Sequence, residues 1–288
     1  MNKQIRLISH YQKLIDLRDT LAGNIGLVPT MGNLHVGHLS LVKSSLEEND
    51  YTIVSIYVNP KQFGPNEDFE NYPRTLEEDV EKISSVCPQS LEKLIIFHPQ
   101  TLEQMFGPHK DELLKIPLKG LDQVLCAKNR PGHFAGVVTV VKHLFDLTRP
   151  THGYFGKKDF QQILIVEQIV KHFALPITIK RVPTSRNSEG LALSCRNYYI
   201  SSYPDAEKLY LRNSLKKISQ QIENKKPFAE IEEMRKTILS EKPGWDYLDI
   251  LDAKNLKDIS PKTESILIAG AFVLGKSRLI DNLVVDYK

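Results

Sequence analysis

Apolar residues along the first half of the chain form short runs separated by stretches of helical periodicity. The runs at 51–58 and 94–97 are rich in β-branched and aromatic residues, as in buried strands, and a shorter run at 25–28 precedes them. Between the runs at 25–28 and 51–58, apolar positions follow the i, i+3, i+7 spacing of one helix face: Leu39, Val42 and Leu46. This β-α-β alternation predicts an α/β fold, a Rossmann-like parallel sheet with helices on both faces.

Local signals refine these elements. Residues 5–22 have a helical pattern and predict a helix before the first strand, and Pro29 is predicted to end that strand because it cannot donate a ladder hydrogen bond. Thr75 to Glu78 has the spacing of a capping box and predicts another helix start. Residues 98–131 contain several prolines and predict short helices at best, whereas 134–145 predicts a buried helix.

Composition changes after Asn197. Residues 204–242 are rich in Lys and Glu with helical periodicity, and three apolar runs follow that predict antiparallel strands, at 247–251, 265–274 and 283–285. The chain is therefore predicted to contain a Rossmann-like domain over 1–183 and a smaller C-terminal α+β domain over 184–288.

Composition narrows the class of protein. The 288 residues are 41% hydrophobic and 25% charged, which is ordinary globular usage, and the net charge of +3 is too small to indicate a nucleic-acid-binding protein. The three cysteines, Cys87, Cys126 and Cys195, are isolated, which predicts neither a disulfide framework nor a zinc site and fits a reducing compartment. Neither a secretory signal nor a membrane-length apolar run is visible, so no membrane partner and a cytoplasmic location are predicted.

The stretch from Gly26 to His38 is the main candidate for chemistry. It reads as a strand, a glycine-containing turn and a helix start, which would bring His35 and His38 to a helix N-terminus. Unpaired backbone N–H groups and the helix dipole favour an anion there, so the pair could form a phosphate site. Two histidines three positions apart are also common as ordinary surface or core residues.

Three other polar clusters are candidates for the same kind of site. The loop 59–68 follows a predicted strand directly, as 29–38 does, and ligands of open α/β sheets bind beyond the carboxyl ends of strands. Gly156 precedes a helix start with two lysines, a possible anion site or a solvated first turn. The stretch 185–197 is a polar loop that contains Arg196, or a plain linker.

Four motifs in these stretches resemble one family. The segment Pro29-Thr-Met-Gly-Asn-Leu-His-Val-Gly-His38 resembles the His-x-Gly-His signature of adenylate-forming nucleotidyltransferases and, in its full length, the pantothenate synthetase (pantoate–β-alanine ligase) family. The segments 58–63, 155–162 and 185–197 resemble that family's later motifs, in the same order. The resemblance covers most of 24–200 and is weaker in the last third, mainly at 270–271 and 278–282.

The resemblance implies roles for individual residues. The catalytic set is His35, His38, Lys158 and Arg196. The implied ATP-binding residues are Met31, Gly32, Asn33, Leu34, His35, Val36, Gly37, His38, Gly156, Lys157, Lys158, Asp159, Ser185, Leu193, Ser194, Cys195 and Arg196. The implied binding residues for pantoate and β-alanine are Asn59, Gln62, Arg130, His133 and Gln162. Asp79 is associated with Mg²⁺ held through the phosphates. Two positions depart from the family pattern: Lys157 stands where an acid is usual, and Cys195 replaces a serine.

The implied reaction joins pantoate to β-alanine through a pantoyl adenylate, with release of pyrophosphate and AMP. The resemblance also implies a homodimer, a C-terminal domain that acts as a lid, and a loop at 186–196 that closes over the triphosphate. Alternatives are a nucleotidylyltransferase that keeps the nucleotide on its product, a nucleic-acid-binding module, and an inactive nucleotide-binding protein. Gln62 and Gln162 suit a small hydroxy acid, which disfavours the nucleotidylyltransferase. The small net charge disfavours the nucleic-acid-binding module.

Overall fold

The computed structural model describes residues 5–65 and 67–287, which divide into two compact units. The first unit contains the described residues up to Leu118 together with Arg130–Lys157 and Ile165–Pro183. The second contains Lys119–Asn129, Lys158–Leu164 and the described residues from Thr184 onward. The sequence-based division differs, because it assigned 119–129 and 158–164 to the N-terminal domain.

The strands and helices of the described residues are numbered here in chain order. The strands are β1 (Arg6–Ile8), β2 (Ile25–Thr30), β3 (Tyr51–Ile56), β4 (Leu94–Phe97), β5 (His152–Gly156), β6 (Thr178–Val182), β7 (Trp245–Asp252), β8 (Ser265–Leu274) and β9 (Ser277–Asp286). The α-helices are α1 (Tyr11–Arg18), α2 (Val36–Glu48), α3 (Leu76–Val86), α4 (Leu102–Phe106), α5 (Cys126–Asn129), α6 (His133–Thr148), α7 (Phe160–His172), α8 (Asp205–Lys208), α9 (Tyr210–Glu223) and α10 (Phe228–Glu241). None of these helices is both long and apolar enough to cross a membrane.

The first unit is built on a parallel sheet with the strand order β1-β4-β3-β2-β5-β6. From β2 the order runs towards β3 and β4 on one side and towards β5 and β6 on the other. The carboxyl end of β2 is therefore a topological switch point, where open α/β sheets bind ligands. The predicted Rossmann-like fold class is confirmed.

The sheet owes its stability to apolar side chains on both faces. Val28, Val54 and Ile96, from three neighbouring strands, pack with Val42 and other residues of α2 in one buried cluster. Helix α6 is buried along most of its length, as its apolar periodicity predicts. The strands that carry the candidate loops thus lie in the centre of a core rather than at its margin.

Three local predictions are wrong. Residues 6–8 form the edge strand β1, which pairs with β4, so a distant partner overrides the helical pattern and the helix is only Tyr11–Arg18. Pro29 does not end β2, which continues to Thr30. The predicted helix start after Thr75 is confirmed by α3, but the capping box is wrong, because the Thr75 hydroxyl donates to Asp79 and makes no capping bond.

The tolerance of β2 for Pro29 follows from the alternation of its hydrogen bonds. The Ile25 carbonyl accepts from Thr151 on the β5 side, and the Thr30 carbonyl accepts from Tyr57 on the β3 side. Alternate residues of a central parallel strand bond to opposite neighbours, so Pro29 faces the β5 side. Pairing with β5 reaches only Leu27, so no ladder bond is lost at Pro29.

The second unit contains the antiparallel sheet β7-β8-β9, which confirms the three predicted C-terminal strands. Helix α9 covers this sheet with apolar residues on one face: Leu211, Leu215, Ile218 and Ile222. A Cβ on Gly270 of β8 would lie 2.7 Å from Leu211 Cδ1, so the glycine allows the helix to pack closely.

Candidate active site

The turn from β2 into α2 depends on two residues in left-handed conformations. Gly32 has φ 87° and Asn33 has φ 50°. A Cβ on Gly32 would lie 3.2 Å from both Asp79 Oδ2 and Ile56 Cγ2. Gly32 is therefore favoured both by its backbone angle and by the close approach of Asp79.

Asp79, on α3, holds this turn through hydrogen bonds to its backbone. Its carboxylate accepts hydrogen bonds from Asn33 N at 2.9 Å and Leu34 N at 2.7 Å, and the Thr75 hydroxyl lies 3.3 Å away. The residue is 0% exposed. Both Asp79 oxygens serve the turn and the residue is buried, and its association with magnesium through the phosphates stays a prediction.

His35 and His38 lie at the start of α2, as predicted, and they also form a reciprocal cap there. His35 is the N-cap residue, and its Nδ1 accepts from Gly37 N at 3.1 Å. His38 Nδ1 accepts in turn from His35 N at 3.4 Å, and the ring centroids are 4.1 Å apart. Because each Nδ1 accepts a hydrogen bond, the neutral rings carry their proton on Nε2. The helix N-terminus therefore presents two imidazole N–H donors in addition to its dipole, which suits an anion.

A second cluster lies after β3, in the predicted pantoate loop. Asn59 is 1% exposed, and its amide nitrogen donates to Gln62 Oε1 at 3.1 Å and to the Gly136 carbonyl at 3.2 Å. Gln62 Nε2 donates to Met31 Sδ at 3.0 Å. Asn59 thus fixes the orientation of the Gln62 amide, and the contact with Met31 links this loop to the turn that follows β2.

The start of α6 extends the cluster. His133 Nδ1 donates to the Gln62 carbonyl at 2.7 Å, and Arg130 NH1 donates to His133 Nε2 at 2.9 Å. These two bonds require a His133 ring that is neutral and protonated on Nδ1. The structure therefore brings together five residues that the sequence assigned to the site: Met31, Asn59, Gln62, Arg130 and His133.

Glu67 completes this network and was not identified from the sequence. Its carboxylate accepts from Arg130 Nε at 2.7 Å and from Arg130 NH2 at 2.6 Å, a bidentate pair that fixes the guanidinium. Burial alone would raise the pKa of Glu67, but the hydrogen bonds and charge of Arg130 outweigh it and hold the pKa below its usual value. No local pattern marks this residue, because its partner is 63 residues away.

Gly136 was also missed by the sequence analysis. A Cβ at this position would lie within 2.6 Å of Gln62 N and still closer to the Lys61 carbonyl group. The absence of a side chain therefore lets α6 contact the backbone of the 59–62 turn directly. This contact places the carbonyl that Asn59 binds.

Gly156 ends β5 and Lys157 follows it in the first unit, and Lys158, Asp159 and Gln162 belong to the second. The Lys158 side chain is 19% exposed, with its ammonium 3.8 Å from the Asp159 carboxylate. Gln162 is half-buried. Its neighbour Gln161 is 5% exposed and donates to the carbonyls of Leu121 and Val124, so it holds the chain before α5 rather than a ligand.

The loop that leads to Arg196 begins as a hydrogen-bonded hairpin. Leu193 N donates to the Ser185 carbonyl at 2.9 Å, and Arg186 forms a bridge with Ala192. Ser194 then caps a short 3-10 helix, Cys195–Ile200, by accepting from Arg196 N at 3.3 Å. The predicted polar loop is thus organised around its own backbone, with Ser194, Cys195 and Arg196 at the start of a helical turn.

Comparison with known proteins adds family relationships to this geometry. Residues 3–284 match the family model described as pantoate-beta-alanine ligase. A pantothenate synthetase of Acetivibrio thermocellus is 39% identical over 98% of this chain and 99% of its own length. One from Thermosipho africanus is 41% identical over 91% of this chain and 92% of its own.

Solved structures agree with these matches. The pantothenate synthetase of Thermus thermophilus superposes with a TM-score of 0.86 at 35% identity, over 97% of this chain and 99% of its own. The pantoate-beta-alanine ligase of Francisella tularensis superposes with a TM-score of 0.73 at 32% identity, over 97% of both chains. The Francisella structure is a complex with beta-gamma ATP and beta-alanine.

Proposed function

The chain belongs to the pantoate–β-alanine ligase family, and on this premise we propose that it condenses pantoate with β-alanine at the expense of ATP. The observation that carries the proposal is the His35–His38 pair at the N-terminus of α2, at the switch point of the parallel sheet. Two imidazole N–H donors at a helix N-terminus suit a nucleotide phosphate. The same turn contacts the Gln62 amide, which suits a small polar acid.

In the first step, we propose, a pantoate carboxylate oxygen attacks the α-phosphorus of ATP. A bond forms between that oxygen and phosphorus, pyrophosphate leaves, and pantoyl adenylate remains. A carboxylate needs no general base to act as a nucleophile, so the enzyme must supply orientation and charge neutralisation. We assign this task to His35 and His38 as N–H donors and to Lys158 and Arg196 as cations.

In the second step the β-alanine amine attacks the pantoyl carbonyl carbon. The new carbon–nitrogen bond forms, the bond from that carbon to the adenylate oxygen breaks, and AMP leaves. The products are pantothenate and AMP, with one amine proton released. Because the adenylate also reacts with water, the site must limit the access of water to the pantoyl carbonyl.

Pantoate recognition is assigned to the cluster after β3. One Gln62 N–H faces the Met31 sulfur, which is a weak acceptor, so a substrate carboxylate or hydroxyl would be a better partner. Asn59 holds the other end of the same amide. We assign Gln162 a similar role. His133 of α6 supports the Gln62 backbone, and Arg130 in turn holds the His133 ring.

The proposal includes Mg²⁺ as a partner of ATP. Because the Asp79 carboxylate is fully engaged with the 33–34 backbone, the phosphates and water are the better oxygen ligands for the ion. When bound, Mg²⁺ would neutralise charge on the triphosphate. A homodimer is proposed on the family resemblance, and sedimentation of the purified protein tests it. A cytoplasmic location is proposed on the sequence, which shows neither a secretory signal nor a membrane-length apolar run.

Two assays test the function. With ATP and pantoate alone, the protein should catalyse exchange between ATP and labelled pyrophosphate. When β-alanine is added, it should release AMP and pantothenate in equal amounts. A nucleotidylyltransferase would instead leave the nucleotide on its product and release no AMP. Failure of AMP release with both substrates present would refute the proposed reaction.

A further inference from the structure

One strand of the second unit, β9, contacts each chain segment of that unit to which we assign a cation for ATP. The first contact is between Asp281 and Arg186. Arg186 NH1 lies 2.7 Å from Asp281 Oδ2, and NH2 lies 2.8 Å from Oδ1, a bidentate ion pair in which the Asp281 side chain is 3% exposed. Because Arg186 belongs to the hairpin that leads into Ser194 and Arg196, this pair anchors the hairpin to β9.

The second contact comes from the next residue of the strand. Asn282 Nδ2 donates to the Lys158 carbonyl at 2.8 Å, and Asn282 is 9% exposed. Lys158 lies in the short 3-10 turn Lys157–Asp159 that precedes α7. Consecutive residues of a strand project to opposite faces, so two adjacent side chains can hold two different segments.

The third contact lies at the beginning of β9. The Ser277 hydroxyl is 3.4 Å from the Arg196 carbonyl, and Ser277 is 0% exposed. The backbone of both assigned cations, Lys158 and Arg196, is therefore bonded to side chains of one strand. The rigid antiparallel pairing of β9 with β8 fixes where these side chains lie.

Asp281 also supplies negative charge near a second arginine, Arg212 on α9. The Nε and NH1 atoms of Arg212 are buried without a hydrogen-bond partner among the described residues. Burial and then the positive charge of Arg186 lower the pKa of Arg212, and Asp281 acts in the opposite direction. Asp281 thus supplies the negative charge beside two guanidinium groups, and a neutral residue there would leave both uncompensated.

We propose that Asp281 and Asn282 are positioning residues for ATP: Asn282 sets the place of Lys158, and Asp281 sets the place of the hairpin that leads into Arg196. This inference rests on the proposed function, because it assumes that Lys158 and Arg196 bind the triphosphate. Neither residue is assigned a contact with the nucleotide. The chemistry of β9 is therefore indirect, through the backbone that it holds.

The first test is Asn282→Ala, with Asn213→Ala as the matched control. Asn213 lies exposed on α9 of the same unit. We expect Asn282→Ala to weaken ATP binding, measured by calorimetry, and to slow pantoate-dependent exchange, each about tenfold, the effect of ~1.4 kcal/mol. The KM for β-alanine should stay within about twofold of the wild type, as should all values for Asn213→Ala.

A double-mutant cycle separates positioning from general stability. If Asn282 acts through Lys158, Asn282→Ala should weaken ATP binding much less in a Lys158→Ala background than in the wild type. Equal effects in both backgrounds would overturn the inference. Asp281→Asn should lower ATP affinity at a temperature well below its unfolding midpoint, and an unchanged affinity in a folded variant would also count against the inference.

The inference and the proposed function fail in different ways. A wild-type protein with no pantoate-dependent exchange overturns the proposed function and, with it, the inference. A wild-type protein that exchanges normally, beside an Asn282→Ala variant of equal rate and ATP affinity, overturns the inference alone.

Discussion

At the scale of single residues, several side chains of the candidate site have a structural and a chemical task at once. His35 caps α2 and His38 caps the His35 backbone in return, yet both present an Nε2–H donor. Gln62 is held by Asn59 and still offers an amide N–H. Replacing such a residue removes a support and a ligand contact together, so controls must separate the two.

His38→Ala tests the paired histidines. We expect pantoate-dependent ATP–pyrophosphate exchange to fall about 10²–10³-fold, the usual effect of removing one donor to developing charge. The loss of the cap should destabilise the protein by only about 1 kcal/mol. His10→Ala is the control for the loss of a histidine cap, because His10 caps α1 as His35 caps α2, with its Nδ1 3.2 Å from Gln12 N. Exchange at the wild-type rate in His38→Ala would contradict the assigned role.

Glu67→Gln tests the ion pair with Arg130 through pH. The folded protein holds the pKa of Glu67 below its ordinary value, so the pair stabilises the fold above about pH 4.3 and loses this effect as pH falls through the folded pKa. The variant should therefore lower the free energy of urea unfolding at pH 7 and differ less from the wild type near pH 3. If the variant and the wild type differ in unfolding free energy by the same amount at both pH values, the charge of Glu67 does not stabilise the fold.

At the scale of elements, sequence periodicity predicted what each segment becomes and failed where a distant partner decides. The α2 and α6 helices, the central strands and the three C-terminal strands follow their apolar patterns. Strand β1 does not, because its partner β4 lies almost ninety residues later. The motif residues were identified by their resemblance to the family's motifs, not by periodicity. The supporting contacts of Glu67, Asp79 and Asn282 join residues 63, 46 and 124 positions apart, and no local pattern predicts them.

Gly136→Ala tests how α6 supports the 59–62 turn. Alanine favours a helix by about 1 kcal/mol over glycine, but its methyl group would meet the Lys61 and Gln62 backbone, which cannot rotate away. We expect overpacking to win, with a net destabilisation of about 1–2 kcal/mol and a raised KM for pantoate.

Gly64→Ala is the control for this variant, because the nearest atoms that a Cβ there would meet belong to the Glu67 side chain, at an ordinary contact distance of 3.7 Å or more. It should change neither the unfolding free energy nor the KM for pantoate appreciably. A stable Gly136→Ala with the wild-type KM would refute the proposed dependence of Gln62 on α6.

At the scale of the whole molecule, each unit has its own sheet and its own buried core. In the first unit the polar groups of the site lie at the edge of a sheet whose interior is apolar, so burial disfavours the charged form of ionisable groups deep in the packing. His143 of α6 is one example. Its Nε2 donates to the Met105 carbonyl at 2.8 Å, its ring packs on Phe106, and burial lowers its pKa below 6.5.

His143 should make the stability of the first unit depend on pH. The unfolded chain gains a proton at His143 near pH 6.5, whereas the folded chain gains it only at lower pH. The free energy of unfolding should therefore fall as pH drops through 6.5. In His143→Gln, which keeps a donor for Met105, this fall between pH 7.5 and 5.5 should be smaller. An identical pH dependence in the two proteins would contradict this assignment.

The place of β2 between β3 and β5 also bears on biosynthesis. Residues of β3 follow β2 closely, but the partner on the other side, at Thr151–Gly153, is made about 126 residues later. While the ribosome translates that interval, β2 can pair with β3 along one edge, but its other edge has no partner yet and can pair with strands of other chains. Chaperone dependence and misassembly should therefore concentrate in this window of translation, and a ribosome-stalled chain that ends before β5 should aggregate more readily than one that ends after it.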